Sequence, residues 1–165
     1  MSESESPGWP WTPGAAEWVG PTTVAILALE QEELRNPSAR IRERMAAGRR
    51  FLVGRMCGGG GWNHGSSRVL GFGAEPYPET TGMALAALRG IRSEEVERSL
   101  GVAHRFLNEC RSADALNWLR LGLLAHGELP PGYSAPADVT CRTLNEISLG
   151  LLVAEAQKRR EVFWG

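Results

Sequence analysis

The chain's 165 residues, 42% of them apolar, are enough for one domain with a substantial core. Its 18 Lys and Arg against 19 Asp and Glu give a net charge of −1, so no whole-chain field selects nucleic acid or anionic lipid as a partner. The widely spaced Cys57, Cys110 and Cys141 argue against a disulfide framework, and the acidic start MSESESPGWPWTPG is not a secretory signal, so the expected address is cytoplasmic.

Residues 1–8 are rich in Ser, Glu and Pro and read as a disordered segment; residues 9–165 read as a single domain. Trp9, Trp11 and Trp18 carry too much apolar surface to stay wet together, so they are expected to dock on the body or on a partner. The stretch TTVAILALEQEELR, Thr22 to Arg35, predicts a helix whose first turns are apolar on all sides and therefore buried. Its apolar run, Val24 to Leu29, is far short of the ~20 residues of a membrane span. Ser38 is placed to cap a second helix, where Ile41, Met45, Leu52 and Met56 follow helical spacing and arginines take the other face. Next come MCGGGGWNHG, Met56 to Gly65, and a long connection rich in Gly and Pro, before TTGMALAALRG restores a helical pattern at Thr80. Ser93 and Ser112 read as caps of two further helices. The first is amphipathic through Val96, Leu100, Ala103 and Leu107, and the second runs from Ala113 to His126. A last helix is expected from Asp138 or Thr140 to Arg160. No strand is predicted, and Val69 to Phe72 reads at most as an extended loop.

Two segments echo each other. Thr22 to Leu29 and Thr81 to Leu88 share the form Thr-x-[Val/Met]-Ala-[Ile/Leu]-x-Ala-Leu, and each lies downstream of a Gly-Trp pair, Gly8-Trp9 and Gly61-Trp62. Arg50-Phe51-Leu52 likewise recurs as Arg105-Phe106-Leu107. Buried and amphipathic helices alternating at a period of ~50 residues describe a helical repeat. The run GGGGWNHG, a long loop and then YPETTGMALAAL resembles the repeats of the squalene and oxidosqualene cyclases and of the protein prenyltransferase β subunits. That resemblance implies an all-α fold of α/α hairpins forming part of an α/α toroid, here about three helix pairs. It also implies an isoprenoid or other long apolar ligand on the concave face of the inner helices, and self-association or a second subunit to complete the ring.

Glycines 58–61 supply backbone angles that let an outer helix hand the chain to an inner one, with Trp62 wedged against a helix end and its indole N–H on a carbonyl. The structural motif is thus Gly60, Gly61, Trp62, Thr80 and Thr81. The run lacks a Gly-Lys-Ser/Thr ending and so does not read as a phosphate cradle. The cyclases' Asp-x-Asp-Asp is missing, since the only aspartates are Asp114 and Asp138, and Asp138-Val-Thr-Cys141 departs from the prenyltransferases' Asp-x-Cys zinc pair. No metal or other cofactor is called for. His64 and Glu79 share the long loop with Tyr77 and are the catalytic candidates, although helix capping explains Glu79 at lower cost. Trp62, Tyr77 and Trp118 are the ligand-contact candidates. A noncatalytic helical scaffold or partner subunit is the competing reading.

Overall fold

A computed structural model describes residues 7–65, 68, 69 and 72–158. It is predominantly helical: α1 is Val19–Arg35, α2 Ala39–Gly54, α3 Pro78–Ala87, α4 Glu94–Glu109, α5 Ala113–Ala125 and α6 Leu144–Lys158. Four two-residue strands make two hairpins, β1 (Trp9–Pro10) with β2 (Glu17–Trp18) and β3 (Arg68–Val69) with β4 (Phe72–Gly73). Neither hairpin was expected. Strands this short carry too few residues for period-two alternation to register.

Residues 1–6 and 159–165 lie outside the described residues, as do the first part of the expected disordered segment and the expected end of the last helix at Arg160. Gly8, assigned to that segment, is buried, and the Arg44 guanidinium donates to the Pro7 and Gly8 carbonyls. Arg44 also lies 3.4 Å over the Trp9 ring, so one arginine anchors the start of the domain through hydrogen bonds and a cation–π contact. Trp11 does not dock as expected. It sits at the β1–β2 turn, 69% exposed, with only its rim against Gly20.

The short connections after α1 and α4 make antiparallel neighbours of α1 with α2 and of α4 with α5. Ser93 and Ser112 cap α4 and α5 by accepting from Val96 and Ala115 N–H. Ser38 does not cap; its own N–H donates to the Glu33 carboxylate, which also takes a bond from Arg42 and binds the α1–α2 turn.

Helices α1, α3, α5 and α6 follow one another as packed neighbours. They run in one direction. Arg49 of α2 bonds Glu30 and the Ala87 carbonyl, near the carboxyl ends of α1 and α3. His126 at the end of α5 bonds the Leu85 carbonyl near the end of α3. Asn145 donates to Asp114 at the starts of α6 and α5, while Arg120 donates to Gln157 further along both. The third antiparallel pair expected from the sequence is therefore not formed. Residues 127–143 hold no helix, and α6 returns parallel to α5.

The centre of this row is α3, with every residue from Thr80 to Leu88 buried. Two glycines allow it to sit so deep: a Cβ on Gly122 would stand 2.5 Å from the Gly82 carbonyl oxygen, and one on Gly82 would overlap the Trp118 carbonyl carbon. Backbone thus packs on backbone between α3 and α5, an approach open only to residues without a side chain. Helix α1 departs from expectation. Thr22, Thr23 and Ile26 are buried, but Val24 and Ala28 face outward because no described element covers that side.

Replacing Gly82 by Ala is expected to destabilise the fold by at least about 2 kcal/mol, since rigid backbone must move. Gly101→Ala, on an open face of α4, is expected to stabilise by about 0.5–1 kcal/mol. Denaturant unfolding of both variants checks the pair, and equal effects would contradict the crossing.

Candidate functional site

The glycine run organises one end of the helix row. Gly60 and Gly61 take φ of 92° and 75°, and a Cβ on Gly61 would meet Pro76 at 2.8 Å and the Thr81 hydroxyl at 2.9 Å. Gly61 N–H donates to Ser99 Oγ at 2.9 Å, tying the loop to α4. Trp62 is fully buried, its indole N–H donating to the Leu52 carbonyl at 2.6 Å in the last turn of α2. Its own N–H donates to Thr81 Oγ1 at 3.0 Å, and its carbonyl accepts from Tyr77 N–H at 2.8 Å and Thr80 Oγ1 at 2.7 Å. Trp62 therefore joins the end of α2 to the start of α3, as the sequence led one to expect of the run. Total burial removes it from the ligand contacts: a side chain whose whole surface packs on protein has none left for a ligand.

The same bond occurs at the other copy of the motif. Trp9 N–H donates to Thr22 Oγ1 at 2.9 Å, as Trp62 N–H does to Thr81 Oγ1. Thr22 and Thr81 are the first residues of the two echoing segments, so sequence similarity and hydrogen bonding agree on the register.

Around this clasp the loop displays a cluster of tilted rings. The His64 ring stands 6.4 Å from Trp18 and 5.3 Å from Tyr77, and its backbone carbonyl accepts Val19 N–H at 2.9 Å, holding the first turn of α1. Glu79, in the first turn of α3, completes the group. Burial pushes its carboxyl above the usual range, the Asp114 carboxylate pushes the same way, and His64 opposes them. Asp114 is itself raised, by burial and by Glu146, against the hydrogen bond from Asn145. The structure thus brings His64, Tyr77 and Glu79 together and adds Asp114, which sequence reasoning left isolated. The raised carboxyls retain a proton to higher pH than free ones, the property required of a proton donor.

Trp118 lies elsewhere. It is half-buried and lines a groove of ≈ 290 Å³ with Leu27, Glu30, Gln31, Leu121, Leu149 and Leu152. Asp114, Trp118 and Leu121 recur at i, i+4 and i+7 and so share one face of α5, which sets the acidic group one turn beyond the groove's end. That spacing was visible in the sequence. The contribution of α6 was not, because it depends on a parallel return. Among its lining residues, buried Glu30 pairs with Arg49, yet desolvation still pushes its carboxyl upward. Cys57, near the loop, has its thiol raised by burial and is held as a thiol at neutral pH.

No protein-family model, curated protein or solved structure matches the chain.

Thr81→Val removes the acceptor of the Trp62 N–H and leaves that donor buried, with an expected loss of about 1–3 kcal/mol by chemical denaturation. Thr22→Val, whose Trp9 partner is only half-buried, is expected to lose less. A raised folded-state carboxyl contributes stability below its unfolded pKa, and this is lost as pH rises through the folded value. Glu79→Gln is therefore expected to raise Tm near neutral pH and to leave it little changed at acid pH. Equal shifts at both, read by calorimetry, would deny the burial of that charge.

Proposed function

We propose that the chain is a prenyltransferase- and squalene-cyclase-like helical repeat protein that binds a long apolar ligand, of isoprenoid type, along the face of its parallel helices. The row α1–α3–α5, backed by α2 and α4 and carrying the Trp–Thr clasp at two equivalent places, supports reading it as an arc of an α/α toroid. The observation that carries the binding role is the groove, whose wall of Leu27, Trp118, Leu121, Leu149 and Leu152 is apolar with only Glu30 and Gln31 as polar neighbours. Its ≈ 290 Å³ falls at the small end of ligand pockets, which span roughly 300–1,000 Å³. An elongated chain lying partly exposed suits such a trough. At its amino-terminal end stand the Glu79 and Asp114 carboxyls, both raised by burial, with His64 and Tyr77 beside them.

The alternative, a noncatalytic scaffold or subunit, is favoured by a different observation, the apolar surface that α6 leaves uncovered. The two readings assign different faces of α6 and are tested separately.

Titration with farnesol and geranylgeraniol, followed by tryptophan quenching, is expected to saturate with micromolar affinity. Trp118→Ala, with the ligand followed by calorimetry, is expected to weaken binding about tenfold, which corresponds to about 1.4 kcal/mol. Tyr77→Ala should change it less. Absence of saturable binding, or binding indifferent to Trp118, would overturn the ligand reading.

A further inference from the structure

Helices α5 and α6 share the tetrapeptide Leu-Gly-Leu-Leu, at 121–124 and 149–152, on two parallel neighbours. Extending that register sets Leu116, Leu119 and Leu123 of α5 in correspondence with Leu144, Ile147 and Leu151 of α6. The two sets have opposite fates. The α5 residues are 1%, 0% and 0% exposed, in a core cluster with Val96, Leu100, Ala103 and Leu107 of the antiparallel α4. Those of α6 are 85%, 44% and 67% exposed. Helix α6 thus carries the apolar stripe of a covered helix, and among the described residues no helix lies across it.

From this we infer that the stripe is covered by a second copy of this chain, the two α6 helices pairing antiparallel about a two-fold axis beside Ile147 and Ser148. The equivalence with α5 specifies the cover as an antiparallel helix with an apolar seam, and α6 turned about a two-fold axis is such a helix. The stripe is its own complement. Leu144 falls opposite the partner subunit's Leu151, and Leu151 opposite the partner subunit's Leu144, a spacing of three and four residues like that of an antiparallel helical seam. Charge agrees with the direction, since Arg142, two residues before α6, comes within about one turn of the partner subunit's Glu155, and the helix dipoles oppose. Three of the exposed large apolar side chains, Leu144, Ile147 and Leu151, sit on this one stripe, a concentration beyond scattered surface residues. The pairing is independent of the ligand reading, because Leu149 and Leu152 line the groove on another side of α6.

Sedimentation equilibrium of the full chain is expected to show a concentration-dependent dimer in the micromolar range, with Leu144→Glu plus Leu151→Glu weakening association at least tenfold while helical circular dichroism is retained. Val53→Glu, at an exposed apolar position on α2, should leave the dimer intact. In a Cys110→Ser, Cys141→Ser background, Ser148→Cys should form a disulfide-linked dimer under mild oxidation, and Glu128→Cys should not. This cross-link decides the matter if the charged variant fails to fold. A monomer at every concentration, a dimer indifferent to the two glutamates, or a monomer that binds only an added α4-like peptide overturns the inference.

Discussion

Trp62 is the piece on which the rest of the molecule depends. It reaches three elements at once: its indole N–H closes the last turn of α2, its backbone N–H and carbonyl take the first residues of α3, and the preceding glycine is bonded to α4. A large apolar ring buried with its polar atom satisfied favours one geometry strongly over its neighbours. The four-glycine run serves that seat, because positive φ and the contacts with Pro76 and Thr81 exclude a Cβ. The residues that follow, His64 above all, are thereby aimed at the starts of α1 and α3, and the aromatic and acidic group exists only because the clasp is closed.

Beyond the clasp, the arrangement is governed by how closely parallel helices approach. Gly82 and Gly122 remove the side-chain layer that separates packed helices, so α3 sinks between its neighbours and becomes buried on every side. Its flanking helices then stand as walls, and the groove between α1 and α6 opens over α5 with Trp118 on its side. Close packing and groove meet on α5, which sets Gly122 against α3 and Trp118 on the groove. The acidic residues collect at one end of the row because the helices start together, which places Glu79, Asp114 and Glu146 within reach of one another's fields.

The last helix obeys a different logic from the first five. The connection before it, with Pro130, Pro131, Gly132 and Pro136, is irregular, and proline's missing N–H explains why no helix forms there. Leu129 and Tyr133 cover part of the core in its place, Tyr133 donating to the Leu107 carbonyl. What they do not cover is the outward apolar stripe of α6, Leu144, Ile147 and Leu151.

Helical character, the caps at Ser93 and Ser112, the glycine hinge and the equivalence of Thr22 with Thr81 were legible in the amino-acid order because each is local: a capping hydroxyl, a required φ or a spacing along one helix needs no distant partner. The same local reading placed His64, Tyr77 and Glu79 in one loop and at one helix start. Which tryptophan is sealed and which is open, the joining of Asp114 to Glu79, the parallel return of α6 and the exposure of Leu144 and Leu151 were decided only by tertiary structure. These depend on contacts between residues far apart in the chain, where an apolar side chain reads alike whether its neighbour is protein or water, and only packing tells the two apart.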